Sequence, residues 1–179
     1  MAKPFKIKKV SPVDPAPRAS VRILRTRLRE FYSHWPDPDE TPTPVQLHNQ
    51  RISGKRLRYS AEAFRDLFPD RLALLIDLLK RQQDLLGAIQ DIVTQRSVVA
   101  LDLARRRLAR ARREEITALE DLLTSYDARH SELFTELEDI WRGMSRKRFR
   151  ALLKDIVSRP VRPPASEPQE TTQEEVVSG

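Results

Sequence analysis

Basic side chains recur at helical spacing between residues 45 and 64, together with a histidine and a tyrosine. In an α-helix, spacings of three, four, three, one and three residues keep six side chains within a sector about 100° wide. These are His48, Arg51, Lys55, Arg58, Tyr59 and Glu62. Arginine and lysine form charge-assisted hydrogen bonds with phosphate and carboxylate oxygens, and arginine often forms two at once. The spacing therefore predicts a helix that presents a row of cations to an anionic partner.

A second basic row lies earlier in the chain, in a helix predicted from Arg18 to Trp35. Its cations are spaced by four, three and four residues, and they are Arg18, Arg22, Arg25 and Arg29. Apolar residues at helical spacing, from Val21 to Tyr32, form the buried face of the same helix. We expect the two rows to line one continuous positive surface. For either row alone, a solvated face without a ligand is the alternative.

The composition favours an anionic partner over catalysis. The net charge is +7, and 25 of the 33 basic residues are arginine. The chain contains no cysteine, so it has neither disulfides nor thiolate metal sites. The three histidines show no metal-ligand spacing, and there is no Gly-rich phosphate loop, pair of metal-binding carboxylates or Ser/His/Asp set. We therefore predict no catalytic residues, no metal and no cofactor.

Proline and charge mark the two ends of the chain. Residues 1–17 are basic and rich in proline, without apolar periodicity, which predicts a flexible basic arm. Residues 18–158 are predicted to form one helical domain, and residues 159–179 a disordered tail. No apolar run suits a signal peptide or reaches the ~20 residues that span a membrane. We expect a cytoplasmic protein without membrane contact.

Apolar periodicity divides the domain into helices. The second helix is expected to start near Val45 and to end at Pro69-Asp70, where Asp70 caps the third helix. The third helix is apolar on one face from Leu72 to Val93, and the residues up to Leu103 either continue it or form a short successor.

The end of the third helix is set by charge rather than by proline or glycine. A turn is expected between Arg110 and Glu114, with Glu114 and Glu115 in the first turn of a fourth helix, where negative charge suits the helix dipole. Ser145 is expected to cap a last short helix that runs to Val157. The predicted fold class is all-α: an antiparallel four-helix bundle with a short extra C-terminal helix, flanked by disordered tails.

The stretch from His48 to Phe64 resembles the signature of the CHAD family, the conserved-histidine α-helical domain. That signature is His-x-x-Arg-x-x-x-Lys-Arg-Leu-Arg-Tyr-x-x-Glu-x-Phe. Nine positions match it: His48, Arg51, Lys55, Arg56, Leu57, Arg58, Tyr59, Glu62 and Phe64. The segment around Gly87 is similar to a second signature, Leu-Gly-x-x-Asn-Asp, with Gln90 where asparagine is usual and Asp91 matched. The resemblance covers roughly residues 18–157 and implies a half-length, single-bundle member.

The resemblance implies non-catalytic binding of inorganic polyphosphate on the basic helical face, and association with polyphosphate granules. Cations at one-turn spacing suit a linear phosphate polymer, because they neutralise successive charges and release counterions. On this interpretation the polyanion contacts are His48, Arg51, Lys55, Arg56, Arg58 and Tyr59 with Arg18, Arg22, Arg25 and Arg29.

Three alternatives stay open. A basic helical face also suits a nucleic-acid backbone, although Tyr59 is the only aromatic residue of the cationic sector on which a base could stack. An enzyme could use His48 as phosphoryl acceptor or general acid. A purely structural bundle would pair its arginines with acidic residues of neighbouring helices.

Self-association is a further expectation. CHAD relatives are similar to two fused bundles, so two copies of this chain would reproduce that architecture. Long apolar residues on the third and fourth helices are expected to leave an exposed stripe, and such stripes often mark interfaces. We expect a symmetric homodimer, the commonest closed assembly.

Overall fold

A computed structural model describes residues 3–36, 40–145, 147–148, 151 and 154–155. Four helices follow one another along the chain: α1 (Ala16–Ser33), α2 (Pro44–Ala63), α3 (Pro69–Leu108) and α4 (Arg113–Gly143). A short 3-10 turn, Arg65–Leu67, joins α2 to α3. The described residues contain no strand. Each helix packs on the next, and the short connections make neighbours antiparallel. The predicted all-α antiparallel bundle is confirmed.

Proline begins two of the helices, since its missing N–H would be unpaired in the first turn anyway. Pro44 follows Thr43, whose hydroxyl accepts from the Gln46 backbone N–H while the Gln46 side chain accepts from the Thr43 N–H, a capping box. Pro69 itself begins α3, and Phe68 is its N-cap residue without a side-chain cap. The prediction that Asp70 caps α3 is therefore wrong. Asp70 lies inside the first turn, where its charge suits the helix dipole.

The core lies between α1, α2, the first half of α3 and the last turns of α4. Its fully buried members include Leu24 and Phe31 from α1, Leu57 from α2, Leu79 from α3 and Leu137 from α4. Within each helix the buried apolar positions recur every three or four residues, as Leu24, Leu28 and Phe31 do in α1, so each helix contributes one apolar face.

The C-terminal ends of α1 and α4 meet and close the bundle. The Tyr32 hydroxyl donates to the Met144 carbonyl oxygen at 2.7 Å, and the Trp35 and Trp141 rings lie 6.2 Å apart. Both contacts join residues more than a hundred positions apart in sequence. They fix α4 against α1 although the two helices are not neighbours along the chain.

The second half of α3 and the first half of α4 extend beyond α1 and α2 as a two-helix hairpin, here called the distal hairpin (residues 93–130). Leu103 is its only buried residue among those described. Ion pairs join its two helices, with Arg96 donating to Asp127 at 2.6 and 3.2 Å, and Arg107 donating to Glu120. The apolar residues up to Leu103 thus continue α3 rather than forming a separate helix.

The turn of the distal hairpin lies where charge predicted it. The Arg110 N–H donates to the Arg107 carbonyl oxygen, and the Ala111 N–H donates to the Arg106 carbonyl oxygen. These two bonds form a Schellman motif, and Arg110 takes the left-handed conformation that the motif requires, with φ 54°. Glu114 and Glu115 lie in the first turn of α4, as predicted.

The structure describes most of the arm before α1 and a few residues after α4. Residues 3–15 contain no helix, but Phe5 and Asp14 both contact α1, so this arm lies against the bundle. At the other end, the Ser145 hydroxyl accepts from the Arg148 N–H at 3.5 Å, and residues 147–148, 151 and 154–155 are helical. Most apolar residues of the predicted last helix, and the tail 159–179, lie outside the described residues. No helix in the described part is long and apolar enough to cross a membrane.

Arg110→Gly is expected to raise the free energy of unfolding by about 1 kcal/mol, because glycine adopts positive φ without steric cost. Arg105→Gly, which removes the same charge from within α3, is expected to lower it by about 1 kcal/mol. Urea denaturation of both variants measures the difference. Equal changes in the free energy of unfolding would show that the left-handed conformation of Arg110 does not lower the stability of the protein.

Candidate anion-binding groove between α2 and α3

The orientation of α2 is fixed by two arginines that are two residues apart. Arg56 donates to the carboxylate of Glu30 on α1, and the Arg58 Nε donates to the Gln83 side-chain oxygen on α3 at 3.1 Å. Residues two apart point about 200° from each other on a helix. Therefore α1 lies on the Arg56 flank of α2, and α3 lies on the Arg58 flank.

Three cations of the signature helix lie on the α3 flank. At 100° per residue, Arg51 and Lys55 lie within about 60° of the direction of Arg58. His48 and Tyr59 are nearby on the exposed surface. No ion pair joins His48, Arg51 or Lys55 to a carboxylate in the part of the chain that the structure describes. The charges of Arg51 and Lys55 are therefore available to an external anion.

Arg58 also has partners on its own helix. It donates to the Glu62 carboxylate at 3.0 Å, and its guanidinium lies 4.6 Å from the centre of the Tyr59 ring. The side chain of Arg58 is only partly exposed. Its contacts with Glu62, Tyr59 and Gln83 together hold it in one orientation. A guanidinium held in this way loses less conformational entropy when an anion binds.

The facing wall comes from α3. Because α2 and α3 are antiparallel, one turn back from Arg58 on α2 corresponds to one turn forward from Gln83 on α3, which is Gly87. A Cβ at Gly87 would meet no atom within 4 Å. The α2/α3 groove is therefore bounded by Arg51, Lys55 and Arg58 on one side and by Gln83 and Gly87 on the other, with open space beside the glycine.

The basic row of α1 lies elsewhere. Arg18, Arg22, Arg25 and Arg29 point between about 120° and 180° from Phe31, the residue of α1 that faces Gly54 of α2. The row is thus on the outer face of α1, while the α2 row borders α3. The expectation that both rows line one continuous surface is not met, because α1 packs on the opposite flank of α2.

The N-terminal arm occupies part of the α1 row. Arg22 donates to the Asp14 carboxylate at 3.1 Å and to the Lys9 carbonyl oxygen, and the Arg29 guanidinium lies 5.8 Å from the centre of the Phe5 ring. Arg18 and Arg25 are exposed. The row therefore serves to hold the arm as well as to face solvent.

Glu30 is a fully buried carboxylate between the two helices. Its oxygens accept from Arg27 at 2.7 Å, from Arg56, and from the Phe5 backbone N–H at 3.2 Å. Burial alone would raise the pKa of Glu30. The hydrogen bonds from Arg56, Arg27 and Phe5 together lower the pKa by more than burial raises it, so the net pKa is below its ordinary value. This assigns Arg56, a sequence-predicted polyanion contact, to the interior junction of α1 and α2.

A polar layer lies beneath the groove. The side-chain amides of Gln50 and Gln82 are buried and have no hydrogen-bond partner among the described protein atoms. Gly54 lies in the same layer, where a Cβ would be 3.4 Å from the Phe31 ring and 3.6 Å from the Gln82 oxygen. This glycine is explained by the close approach of α1 and α3 to α2 rather than by an external polyanion.

Sequence reasoning missed the contribution of α3. Gln83 is separated from the signature helix by more than twenty residues, and nothing in its local pattern singles it out. Gly87 carries a signal, since a glycine within a 40-residue helix costs about 1 kcal/mol. Gln90 and Asp91 are exposed, and Gln90 interacts with Thr94 on its own helix. Among the described residues, no three His, Asp or Glu side chains could together hold a metal ion.

Comparison with models of protein families matches residues 2–100 to the CHAD domain. The match spans the N-terminal arm, α1, α2 and α3 up to residue 100, so it starts and ends earlier than the resemblance inferred from the sequence. It includes every residue of the α2/α3 groove, whereas the tip of the distal hairpin and all of α4 lie outside it. The chain matched no curated protein and no solved structure.

Glu30→Ala is expected to destabilise the protein by about 2–4 kcal/mol, because it leaves two partly buried arginines without their shared carboxylate. Because the folded-state pKa is lowered, Glu30 contributes stability above its unfolded-state pKa of 4.5, and that contribution is lost as pH falls through the lower folded-state value. Urea unfolding of both proteins at neutral and acidic pH measures this.

Glu132→Ala is the matched control, because it removes an exposed partner of Arg129 and should change stability little. The difference in stability between wild type and Glu30→Ala should shrink at acidic pH. A difference that does not change with pH would contradict a charged Glu30 in the folded protein.

Proposed function

The chain belongs to the CHAD family, and from that premise we propose that its α2/α3 groove binds inorganic polyphosphate. CHAD domains in general bind polyphosphate-like ligands. This use of the groove is supported by a difference among the cations of α2: one of them has a buried carboxylate as its partner, and two have no ion pair in the described structure. Arg56 neutralises a buried carboxylate, whereas Arg51 and Lys55 border an open groove without an ion pair in the described structure.

The geometry suits a linear polymer. Arg51, Lys55 and Arg58 extend over seven residues of α2, about 10 Å at 1.5 Å per residue. Charge-assisted hydrogen bonds from such a row contact successive phosphates without recognising any other feature of the ligand. The open space beside Gly87 lets the polymer approach the helix axis closely. Binding of this kind gains most of its free energy from neutralised phosphates and released counterions.

His48 lies one turn before Arg51, at the exposed end of the row. We assign it a phosphate contact that strengthens when the imidazole is protonated. No described carboxylate pairs with it, and no nucleophile and base set surrounds it, so a binding role suits it better than phosphoryl transfer. We place this binding in the cytoplasm, including the surface of polyphosphate granules.

A nucleic acid is the second candidate ligand, since the same row would contact its backbone. The aromatic group that a base would need is Tyr59, which is 55% exposed. One face of its ring is already covered by the Arg58 guanidinium. A single, half-covered ring offers little surface on which bases could stack, and this favours a phosphate polymer without bases.

Lys55→Ala and Arg51→Ala are each expected to weaken polyphosphate binding and to reduce the slope of log affinity against log salt by about 1, because each removes one phosphate contact. Isothermal calorimetry between about 50 and 200 mM salt measures both effects. Arg81→Ala removes the same charge from α3, at an exposed site whose nearest carboxylate is on α4, and should leave the slope nearly unchanged.

The Arg81→Ala control distinguishes binding at the α2/α3 groove from non-specific attraction by the net charge of the protein. Equal losses for Lys55→Ala and Arg81→Ala would show that net charge alone drives binding and would exclude a defined groove. An affinity that does not change with salt would instead indicate a compact pocket and favour an enzyme.

Polyphosphate is expected to displace a single-stranded oligonucleotide of equal charge from the protein, because bases add no contact in the groove. A competition measured by fluorescence anisotropy of labelled oligonucleotide tests this. Tyr59→Ala should then lower oligonucleotide and polyphosphate affinity alike. A selective loss of oligonucleotide affinity would show base stacking and favour the nucleic-acid function.

A further inference from the structure

The side of α3 that α2 covers in the bundle continues uncovered into the distal hairpin. With Arg58 opposite Gln83, the 14 residues back to Pro44 bring the start of α2 to about residue 97 of α3. From about that level to the end of α3, the residues that point within about 60° of the direction of Gln83 have no described helix over them. Among them are Val98, Leu101, Arg105 and Leu108, here called the α3 stripe, with Ser97 and Ala104 beside it.

The α3 stripe is apolar and exposed. The exposed fraction is 64% for Val98, 54% for Leu101 and 86% for Leu108. The four positions are spaced by three, four and three residues, the repeat that packs one helix against another in a coiled coil. Arg105 is its one charged member, and its long aliphatic stem can cover apolar surface while the guanidinium reaches solvent.

Opposite charges lie just beyond the two ends of the α3 stripe. Asp91 lies at the end near the bundle, and Arg110 lies at the tip; both are exposed, and neither has an ion pair in the described structure. If two copies of the stripe pack antiparallel about a two-fold axis at Leu101, positions whose numbers add to about 202 face each other. Asp91 of one copy then lies opposite the turn at Arg110 of the other. The same surface is thus complementary to itself.

We propose that two copies of this chain form a symmetric antiparallel dimer through the α3 stripe, in which each distal hairpin covers the part of α3 that α2 leaves open. The complementary ends of the stripe select a second copy over an unrelated helix. Packing removes Val98, Leu101 and Leu108 from water, and the pairs of opposite charge set the antiparallel direction.

The dimer leaves the α2/α3 grooves open. Arg51, Lys55 and Arg58 lie on the part of α2 that faces the first half of α3, away from the stripe. The tip of one copy, with Arg110, approaches the start of α2 in the other. The dimer stands independently of polyphosphate binding, because the stripe shares no residue with the groove.

The oligomeric state tests the proposal directly. Wild-type protein at micromolar concentration is expected to show twice the chain mass of 20.8 kDa by light scattering after size exclusion, and Leu101→Glu the single mass. Leu74→Glu is the matched control, since Leu74 is 64% exposed on the same helix but points about 180° from Gln83. It should remain dimeric. Circular dichroism confirms that each variant is folded.

Cross-linking tests the two-fold axis. The chain has no cysteine, so Leu101→Cys introduces one thiol per copy at the proposed axis. Mild oxidation should join Leu101→Cys into a disulfide-linked dimer and leave Leu74→Cys as separate chains. Equal yields in the two variants would overturn the antiparallel packing, and a monomeric wild type would overturn the dimer itself.

A charge exchange tests the direction. Asp91→Arg is expected to weaken the dimer, and adding Arg110→Asp to the same chain should restore it, because the pair of opposite charges is re-formed in the other order. Failure of the second change to restore the dimer would exclude the contact between these two ends.

Discussion

The orientation of the basic residues on α2 depends on the buried carboxylate of Glu30. A carboxylate without access to water is costly unless cations and hydrogen-bond donors surround it. Arg27 on the same helix, Arg56 on α2 and the Phe5 N–H meet that requirement together. The attraction fixes the rotation of α2 about its axis, because Arg56 must face α1. Arg58, about 200° away, must then face α3.

That rotation divides the basic residues of α2 into two groups with different partners. Using Arg56 to hold an external phosphate would leave Glu30 buried with one cation fewer, at a cost of several kcal/mol. Arg51 and Lys55 have no such competing partner in the described structure, so an anion gains their full attraction. The sequence signature alone does not separate these groups, because all of its cations are basic residues in one helix.

Much of the fold could be predicted from sequence because it depends on local patterns. Apolar periodicity predicted the helices, and the charged residues from Arg110 to Glu114 predicted the turn between α3 and α4. The spacing of the basic residues predicted the row on α2. The relation of that row to its neighbours could not be predicted in this way. It depends on contacts between residues 25 or more positions apart, such as Arg58 with Gln83 and Arg56 with Glu30. The misplaced cap at Asp70 has a local cause, since Pro69 can itself occupy the first helical position.

The lengths of the helices account for the remaining features. α2 has 20 residues and α3 has 40, so α2 can cover only about half of α3. In the covered half, the large residues of α3 are buried and polar side chains such as Gln83 reach the groove. In the uncovered half, the same face carries Val98, Leu101 and Leu108, which are apolar although no described helix lies over them. A contiguous row of exposed apolar residues, unlike a single one, often marks an interface. Their apolar character favours a covering helix from outside the chain, and in the proposed dimer that helix is α3 of a second copy.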